Sequence, residues 1–527
     1  MQTPHPRPNN GRREPTTANE PTQEAVFALL GDPSTHGGCA VRRYDTHASA
    51  VFLTPDRAFK VKRAVRFPFL DYSTLDKRKA ACAAELAINR QFAPRLYRRL
   101  AAITREPDGR LALDGEGEPI EWAVEMERFD ENQTLDHIAD RGAFDDALPG
   151  KLALAVATMH DRAEPADPGP WLAALPQYID QNTAAFRGAG DLFPADAVGK
   201  LDRQSRAVLE RLRPLLVTRG RQGLIRRGHG DLHLGNIVLL DGEPIAFDAI
   251  EFNPVIASGD VLYDLCFLLM DLVERELNVA ANGVLNGYFA ATHRIEDCDG
   301  LAALPLFISL RAAIRAKVTA ARLDQAAEHK RDEIARSAQR YFQFALASIM
   351  PPLPSIVCTG GLSGSGKSVL ARSLAPFVLP FPGALVLRSD VERKTLFNVR
   401  ETEHLPPEAY RPEVSEKIYA SLNDKAARIA RAGHSVIVDA VFAKPSERAA
   451  IEAVAHGAKI AFHGLFLTTS LETRLARIGG RGPDASDADA KVAREQENFD
   501  IGAMTWSTID ASTSPAETLS QARRTLG

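Results

Sequence analysis

The sequence predicts two unlike folds in one chain: a mixed α+β N-terminal part, and a C-terminal α/β part built on a doubly wound parallel sheet. Three observations predict this. Beyond residue 355 apolar strands alternate with helical stretches (Ile356–Thr359, Ala384–Leu387, Ser435–Val438, Gly464–Leu467 and Ser507–Asp510), the pattern of βαβ units. Ahead of that region strands come first and helices follow. Between the two, Met350-Pro351-Pro352-Leu353-Pro354 gathers prolines that cannot continue a helix and form a stiff connector. The expected organisation is a disordered N-terminus over 1–22, a first domain over 23–349, a linker over 350–354 and a second domain over 355–527.

In the first domain, Val41–Phe52 and Ala58–Lys62 read as strands joined by a Thr54-Pro55-Asp56 turn. Thr74–Phe92 reads as a helix stopped by Pro94, and Trp122–Met126 as another strand. Lys151–Arg162, Ala195–Val217, Asp260–Glu276 and Leu301–Ile349 have helical composition or spacing. Arg311–Lys317 reads as a solvated helix face, with anion binding as its other reading. One hairpin interrupts the helices: Ile237–Leu240, an Asp241-Gly242 turn, then Pro244–Phe247.

Composition sets outer bounds. The chain has 527 residues, 45% hydrophobic and 25% charged, with a net charge of −4, which gives no global attraction to nucleic acid or membrane. Its five cysteines contain no C-x-x-C pair, which suits a reducing cytoplasm and offers no zinc site. No apolar run reaches the roughly 18 residues of a membrane span, and the polar N-terminus lacks the apolar core of a signal peptide.

The strongest chemical signal is Gly361-Leu362-Ser363-Gly364-Ser365-Gly366-Lys367-Ser368, which fits G-x-x-x-x-G-K-[ST] at every fixed position. Gly361, Gly364 and Gly366, with Ser365 in the same turn, let backbone N–H groups face inward around a phosphate. Lys367 then reaches the β/γ-phosphates and the Ser368 hydroxyl ligates Mg²⁺. Ser355–Thr359 before it reads as a buried strand and Val369–Leu374 after it as a helix, the strand–loop–helix setting this motif needs. Asp390 and Asp439 each end a strand of the same sheet, where open parallel sheets bind ligand. Asp390 is placed to take a proton from an acceptor hydroxyl, and Asp439 to hold the Mg²⁺ shell as a Walker-B-type carboxylate. Helix N-capping is the other reading of both. Arg393 and Lys394 follow on the next helix, suited to an anionic acceptor. Arg474, Arg477 and Arg481 accompany Gly479, Gly480 and Gly482 in a stretch that reads as a closing lid whose arginines neutralise a transferred phosphoryl group. A solvated helix face explains Arg474 and Arg477 as well.

A second constellation lies upstream. His229-Gly230-Asp231-Leu232-His233-Leu234-Gly235-Asn236 runs into the hairpin, and Asp248 follows its second strand. Closure by Asp241-Gly242 sets residues near 236 and 247 opposite each other, which brings Asn236 and Asp248 together. Their oxygens are hard ligands suited to Mg²⁺ carrying phosphates. Asp231, five residues before Asn236, has the offset of the catalytic base in the kinase H-x-D-x-x-x-x-N loop. His229 reads as a brace for the loop, and Asp260 and Asp264 as helix-capping and bracing groups.

His229–Asn236 with Asp248 resembles the aminoglycoside phosphotransferase and choline kinase-like branch of the protein-kinase fold, across residues 40–320. The resemblance implies a strand lysine on the α/β-phosphates paired with a helix glutamate. Lys60 matches the lysine best, Lys62 on the same strand face is its competitor, and Glu85 matches the glutamate. No G-x-G-x-x-G loop precedes the lysine; Thr46-His47-Ala48-Ser49 stands in its place. Residues 355–527 resemble P-loop kinases of the gluconate kinase, chloramphenicol phosphotransferase and polynucleotide kinase type, also grouped with AAA-family ATPases. The order of the halves resembles uncharacterised bacterial fusions of the two. The implied activity is transfer of phosphate from ATP, with Mg²⁺, to a small-molecule hydroxyl at two sites. A 5′-hydroxyl polynucleotide kinase, or an ATPase in which one site controls the other, are the alternatives. Residues 355–527 hold 21 Lys+Arg and 20 Asp+Glu, a net of +1, which disfavours a nucleic-acid acceptor. Neither the acceptors nor the oligomeric state can be read from the motifs.

Overall fold

Strand-forming sequence on both sides of a polar turn dominates the start of the chain in the computed structural model, which describes residues 23–67, 70–480, 482 and 484–526. The expectation for 1–22 lies outside the described residues. Two compact units are present: residues up to Asp130 with Glu251–Asn253, and Glu131–Ile250 with Pro254 onward.

The first unit holds helix α1 (Gln23–Gly31) and an antiparallel six-stranded sheet ordered β1–β2–β3–β8–β6–β7. Its strands are β1 (Arg42–Asp45), β2 (Ser49–Leu53), β3 (Arg57–Lys62), β6 (Tyr97–Arg105), β7 (Leu111–Leu113) and β8 (Glu118–Glu127); a small hairpin pairs β4 (Arg66–Phe67) with β5 (Leu70–Asp71). The single strand expected over Val41–Phe52 is instead a hairpin. The Thr46 hydroxyl accepts from Ser49 N at 2.9 Å and Thr46 N donates to Ser49 O at 2.8 Å, so the chain turns where the sequence is polar. Alternation along β3 sends Phe59 and Val61 into a core with Phe27, Leu30, Phe52 and Ile103. Lys60 and Lys62 take the other face, toward helix α2 (Leu75–Phe92), which Thr74 caps by accepting from Lys77 N.

The second unit begins with helices α3 (Leu135–Asp140), α4 (Leu148–Arg162), α5 (Pro168–Gly188) and α6 (Ala195–Arg221). Next come β9 (Ile225–Arg227), the hairpin β10 (Ile237–Leu240) and β11 (Glu243–Ala246), α7 (Pro254–Ala257), and β12 (Ser258–Asp260), which pairs with β9. Helices α8 (Val261–Glu274), α9 (Asn278–Thr292), α10 (Ile295–Gly300), α11 (Leu304–Ala321) and α12 (Glu328–Ser348) complete this part. The continuous helical stretch expected over Leu301–Ile349 therefore breaks after Ala321, and α12 packs back on α11. Arg311, expected on a solvated face, is buried.

After the prolines, a five-stranded all-parallel sheet runs β14–β15–β13–β16–β17. Its strands are β13 (Ser355–Gly360), β14 (Leu385–Arg388), β15 (Val436–Asp439), β16 (Ala461–Thr468) and β17 (Ser507–Asp510). Around them lie α13 (Lys367–Leu374), α14 (Ser389–Leu396), α15 (Pro412–Arg431), α16 (Pro445–Ala458), α17 (Leu471–Gly479), α18 (Ala490–Glu495) and α19 (Pro515–Leu526). Val357, Leu370, Leu374, Ile437, Leu465 and Ile509 form a core there. This is the doubly wound α/β arrangement the alternation predicts. Edge strand β14 is covered from α9, where Asn282 and Asn286 each donate to Ala384 O at 3.1 Å.

Candidate active sites

Strand β13 is central and buried, and it delivers the glycine-rich loop at its C-terminal end. Gly361 and Gly364 have φ of +136° and +83°, where an L side chain is strained. A Cβ on Gly361 would lie 2.7 Å from Leu467 O, and one on Gly364 would lie 2.7 Å from Arg474 O. The loop is held from outside. Ser363 N donates to Gln496 Oε1 at 2.7 Å, and Gln496 Nε2 donates to Ser363 Oγ at 3.0 Å. Lys367 opens α13 with its Nζ 3.2 Å from Leu362 O; burial lowers its pKa against the pull of Asp439 and Asp390.

Ser368 Oγ donates to Asp439 Oδ2 at 2.6 Å, joining the loop to the end of β15. Burial raises the Asp439 pKa, opposed by Lys367, Ser368 and Arg388. Arg388, which the sequence reading did not single out, donates from Nη2 to both oxygens of Asp484 at 3.0 and 3.1 Å, and its Nε lies 3.4 Å from Asp439 Oδ2. Asp390 sits in the first turn of α14, a helix without a side-chain cap bond, so capping does not account for it. Nor does Asp439 precede a helix; β15 leads to α16 only at Pro445. A cavity of about 1100 Å³ is lined by Lys367, Ser368, Asp390, Tyr410, Tyr419 and Asp439 among others.

The cations expected to meet ligand are largely engaged with protein. Arg474, 1% exposed, donates to Ala493 O at 3.2 Å and pairs with Glu497, so it is neither a solvated face nor a lid. Arg477 lines the cavity while donating to Ser365 O at 3.3 Å and Ala511 O at 2.7 Å, a brace between loop and sheet. Arg481 lies outside the described residues. Lys394 pairs with both oxygens of Asp487 at 2.7 Å, and buried Arg393 donates to Ala409 O and Ser415 Oγ. Lys394 is thus already paired, whereas Arg393 lines the cavity with its Nε lacking a hydrogen-bond partner.

In the first unit Glu85, fully buried on α2, meets both candidate lysines. Lys60 Nζ lies 2.9 Å from Glu85 Oε1, and Lys62 Nζ lies 2.5 Å from Oε2. Lys62 also pairs with Glu251, whose Oε1 accepts from Tyr72 OH at 2.8 Å. Burial opposes the charge on Lys62, but Glu85 and Glu251 outweigh it and its pKa is raised. Lys60 is 16% exposed and Lys62 3%.

In the second unit the His229–Asn236 loop is gripped by buried carboxylates. Asp264 accepts from His229 N at 2.8 Å and Gly230 N at 2.9 Å, and Asp271 accepts from Leu234 N at 2.9 Å. Arg311 Nη1 donates to Gly230 O at 3.0 Å. Burial lowers the His229 pKa, and its Nε2 lies 2.8 Å from Phe247 O, a bracing contact. Asn236 Nδ2 donates to Asp231 O at 3.0 Å and Oδ2 at 3.2 Å, so its amide oxygen is the atom suited to a cation. Burial works against ionising Asp231, but His233, His229 and Arg315 prevail and hold it at about 2. Phe247 N donates to Asn236 O at 2.9 Å, and the next residue, Asp248, takes a φ of +62°, a strained setting for a side chain aimed by the hairpin. Sequence reasoning missed Glu251, Asp271, Arg388, Asp484 and Gln496; no local spacing marks them.

Among the described residues, no helix is long and apolar enough to cross a membrane, and no three His, Cys, Asp or Glu side chains cluster as a metal cage. Residues 65–304 match the phosphotransferase enzyme family and residues 356–499 the AAA domain. The uncharacterised protein Rv2004c of Mycobacterium tuberculosis (strain ATCC 25618 / H37Rv) is 29% identical over 472 residues, covering 87% of this chain and 90% of its own. Among solved structures, a choline/ethanolamine kinase family protein from Mesorhizobium loti is 13% identical with a TM-score of 0.36, covering 62% of this chain and 98% of its own. A gluconokinase from Sinorhizobium meliloti 1021 is 20% identical with a TM-score of 0.25, covering 33% and 92%. The two matched segments support a kinase-type enzyme in which a stretch matching the phosphotransferase enzyme family precedes one matching the AAA domain.

Proposed function

We propose that the chain has two separate ATP sites, each transferring a phosphoryl group to a hydroxyl of a small molecule. The reading is supported by a carboxylate in each half beside a donor set suited to nucleotide: Asp390 lines one cavity with Lys367, Ser368 and Asp439, and Asp231 accepts from Asn236 Nδ2. A nucleotide switch needs no such carboxylate.

In the C-terminal half the positive-φ cradle fits phosphate oxygens, and the Ser368–Asp439 pair fits a hard divalent cation. Such a cation neutralises the triphosphate when bound. Lys367 stabilises charge on the phosphoryl group being transferred. Asp390 takes the proton of the acceptor hydroxyl as its oxygen bonds to phosphorus and the bond to the departing ADP oxygen breaks. In the first unit Lys60, held by Glu85, suits the α/β-phosphates; in the second, Asn236 with Asp248 suits a cation. Asp231, ionised at working pH, orients the acceptor hydroxyl and receives its proton late in transfer.

The test is a phosphorylation screen of a metabolite library with labelled ATP, run on wild type, Lys367→Ala and Asp231→Asn. Each variant is expected to lose a different set of products. Turnover indifferent to both substitutions would remove the two-site reading. Asp390→Asn is expected to abolish C-terminal transfer while preserving nucleotide binding; lost binding would make Asp390 structural.

A further inference from the structure

Arg315 on α11 stands apart from the other arginines around the His229–Asn236 loop. Arg311, one turn earlier, is spent on Gly230 O and lies 3.8 Å from Asp264. Arg219 pairs with Asp260 and Asp297, and Arg275 with Asp140 and Asp271. Arg315 is half-buried, yet among the described residues no carboxylate lies within ion-pair distance of it, and its buried Nε has no hydrogen-bond partner. Two aromatic faces fix the guanidinium: its carbon lies 5.9 Å from the Phe267 ring centroid and 5.8 Å from that of Tyr341. Phe267 connects it to the reacting end of the loop. The His233 ring packs edge-on against Phe267 at 5.7 Å, and His233 Nε2 lies 3.5 Å from Asp231 Oδ2.

An arginine held by two rings and a Tyr341 hydrogen bond, in the field of Asp271 and Asp231 but in ion-pair contact with neither, is suited to a carboxylate or phosphate from outside. Asp271 and Asp231 favour its charge from beyond ion-pair distance, and both are engaged elsewhere. Asp271 accepts from Leu234 N, and Asp231 is occupied by Asn236 and His233. We propose that the acceptor alcohol of the N-terminal site carries an anionic group, a carboxylate or a phosphate, which pairs with Arg315 while its hydroxyl lies at Asp231. The assignment rests on the two-site reading above and narrows its N-terminal acceptor to hydroxy acids and phosphorylated alcohols.

The experiment uses the full chain with Lys367→Ala, so that Asp231-dependent turnover is read alone. The acceptor library is divided into matched neutral, amine-bearing, carboxylate-bearing and phosphate-bearing alcohols. Turnover is expected with an anionic group only, and the last two arms tell carboxylate from phosphate. Arg315→Met is expected to raise the acceptor KM about tenfold to a hundredfold, the loss of one charge-assisted pair, with the ATP KM unchanged. Arg315→Lys is expected to recover part of that loss. Turnover confined to neutral or amine-bearing alcohols would overturn the assignment. So would an Arg315→Met enzyme with unchanged acceptor KM and a displaced pH profile, which would make Arg315 a tuner of Asp231. Absence of any Asp231-dependent turnover would instead bring down the two-site reading, and this assignment with it.

Discussion

Asn286 and Val386 pair as two strands would. Val386 N donates to Asn286 Oδ1 at 2.8 Å while Asn286 Nδ2 donates to Ala384 O at 3.1 Å, so one side-chain amide on α9 replaces a missing strand beside β14. Strand β14 runs directly into Arg388 and Asp390. The same helix carries Tyr288, whose hydroxyl lies 2.9 Å from His160 Nδ1, and His160 Nε2 lies 3.3 Å from the Asp264 that grips the Asp231 loop. Replacing Asn282 and Asn286 together by Ala leaves edge-strand groups unpaired, at a cost of about 1–3 kcal/mol. Denaturant unfolding is expected to show that loss, with faster amide exchange at Val386. The Lys367-dependent activity is expected to fall more than the Asp231-dependent one. Unchanged exchange at Val386 would show that the clamp contributes nothing.

The two candidate lysines separate by burial. Lys60→Met is expected to raise the ATP KM of the Asp231-dependent activity at least about tenfold with little change in stability, because Lys60 keeps a partly exposed face. Lys62→Met leaves Glu251 without its cation and Glu85 with Lys60 alone, and is expected to cost about 3–5 kcal/mol. Steady-state kinetics and chemical unfolding on the two variants check this. The reverse pattern would assign the nucleotide lysine to Lys62.

The parts of this molecule legible in the sequence are those whose partners are close along the chain. The Gly361–Ser368 loop follows its strand directly, and the Asp241-Gly242 turn sets the β10–β11 register, Ile237 opposite Ala246, without reference to anything distant. Thr74 and the helix it caps are equally local. What stayed hidden depends on partners far along the chain. Glu251 meets Lys62 across 189 positions, Gln496 meets Ser363 across 133, and Arg388 meets Asp484 across 96, with no motif spacing to announce them. Arg474 and Arg477 were ambiguous for a related reason: a helical arginine buried against backbone carbonyls has the same spacing as one facing water. The turn inside Val41–Phe52 was obscured because β-forming residues continue on both sides of it.

Acid sensitivity is expected from His434. Its ring is buried with Nε2 3.0 Å from Gly383 O, and burial pushes its pKa down to about 4 from an ordinary 6.5. Between those values the unfolded chain takes up a proton that the folded chain refuses, so stability falls as pH drops through that window. The loss amounts to about 2 kcal/mol between pH 7 and pH 5. Unfolding curves at the two pH values are expected to show it in wild type and to show less in His434→Gln. Equal losses in both proteins would place the acid-sensitive group elsewhere.

The central claim is that two chemically independent phosphoryl-transfer sites share this chain. It is tested most directly by counting ATP-dependent products, in the presence of a full acceptor library, for wild type, Lys367→Ala, Asp231→Asn and the double variant. Two non-overlapping product sets are expected, with Lys367→Ala and Asp231→Asn each removing one and the double variant removing both. A single product set abolished by either substitution alone would contradict it, and would make one nucleotide site the controller of the other.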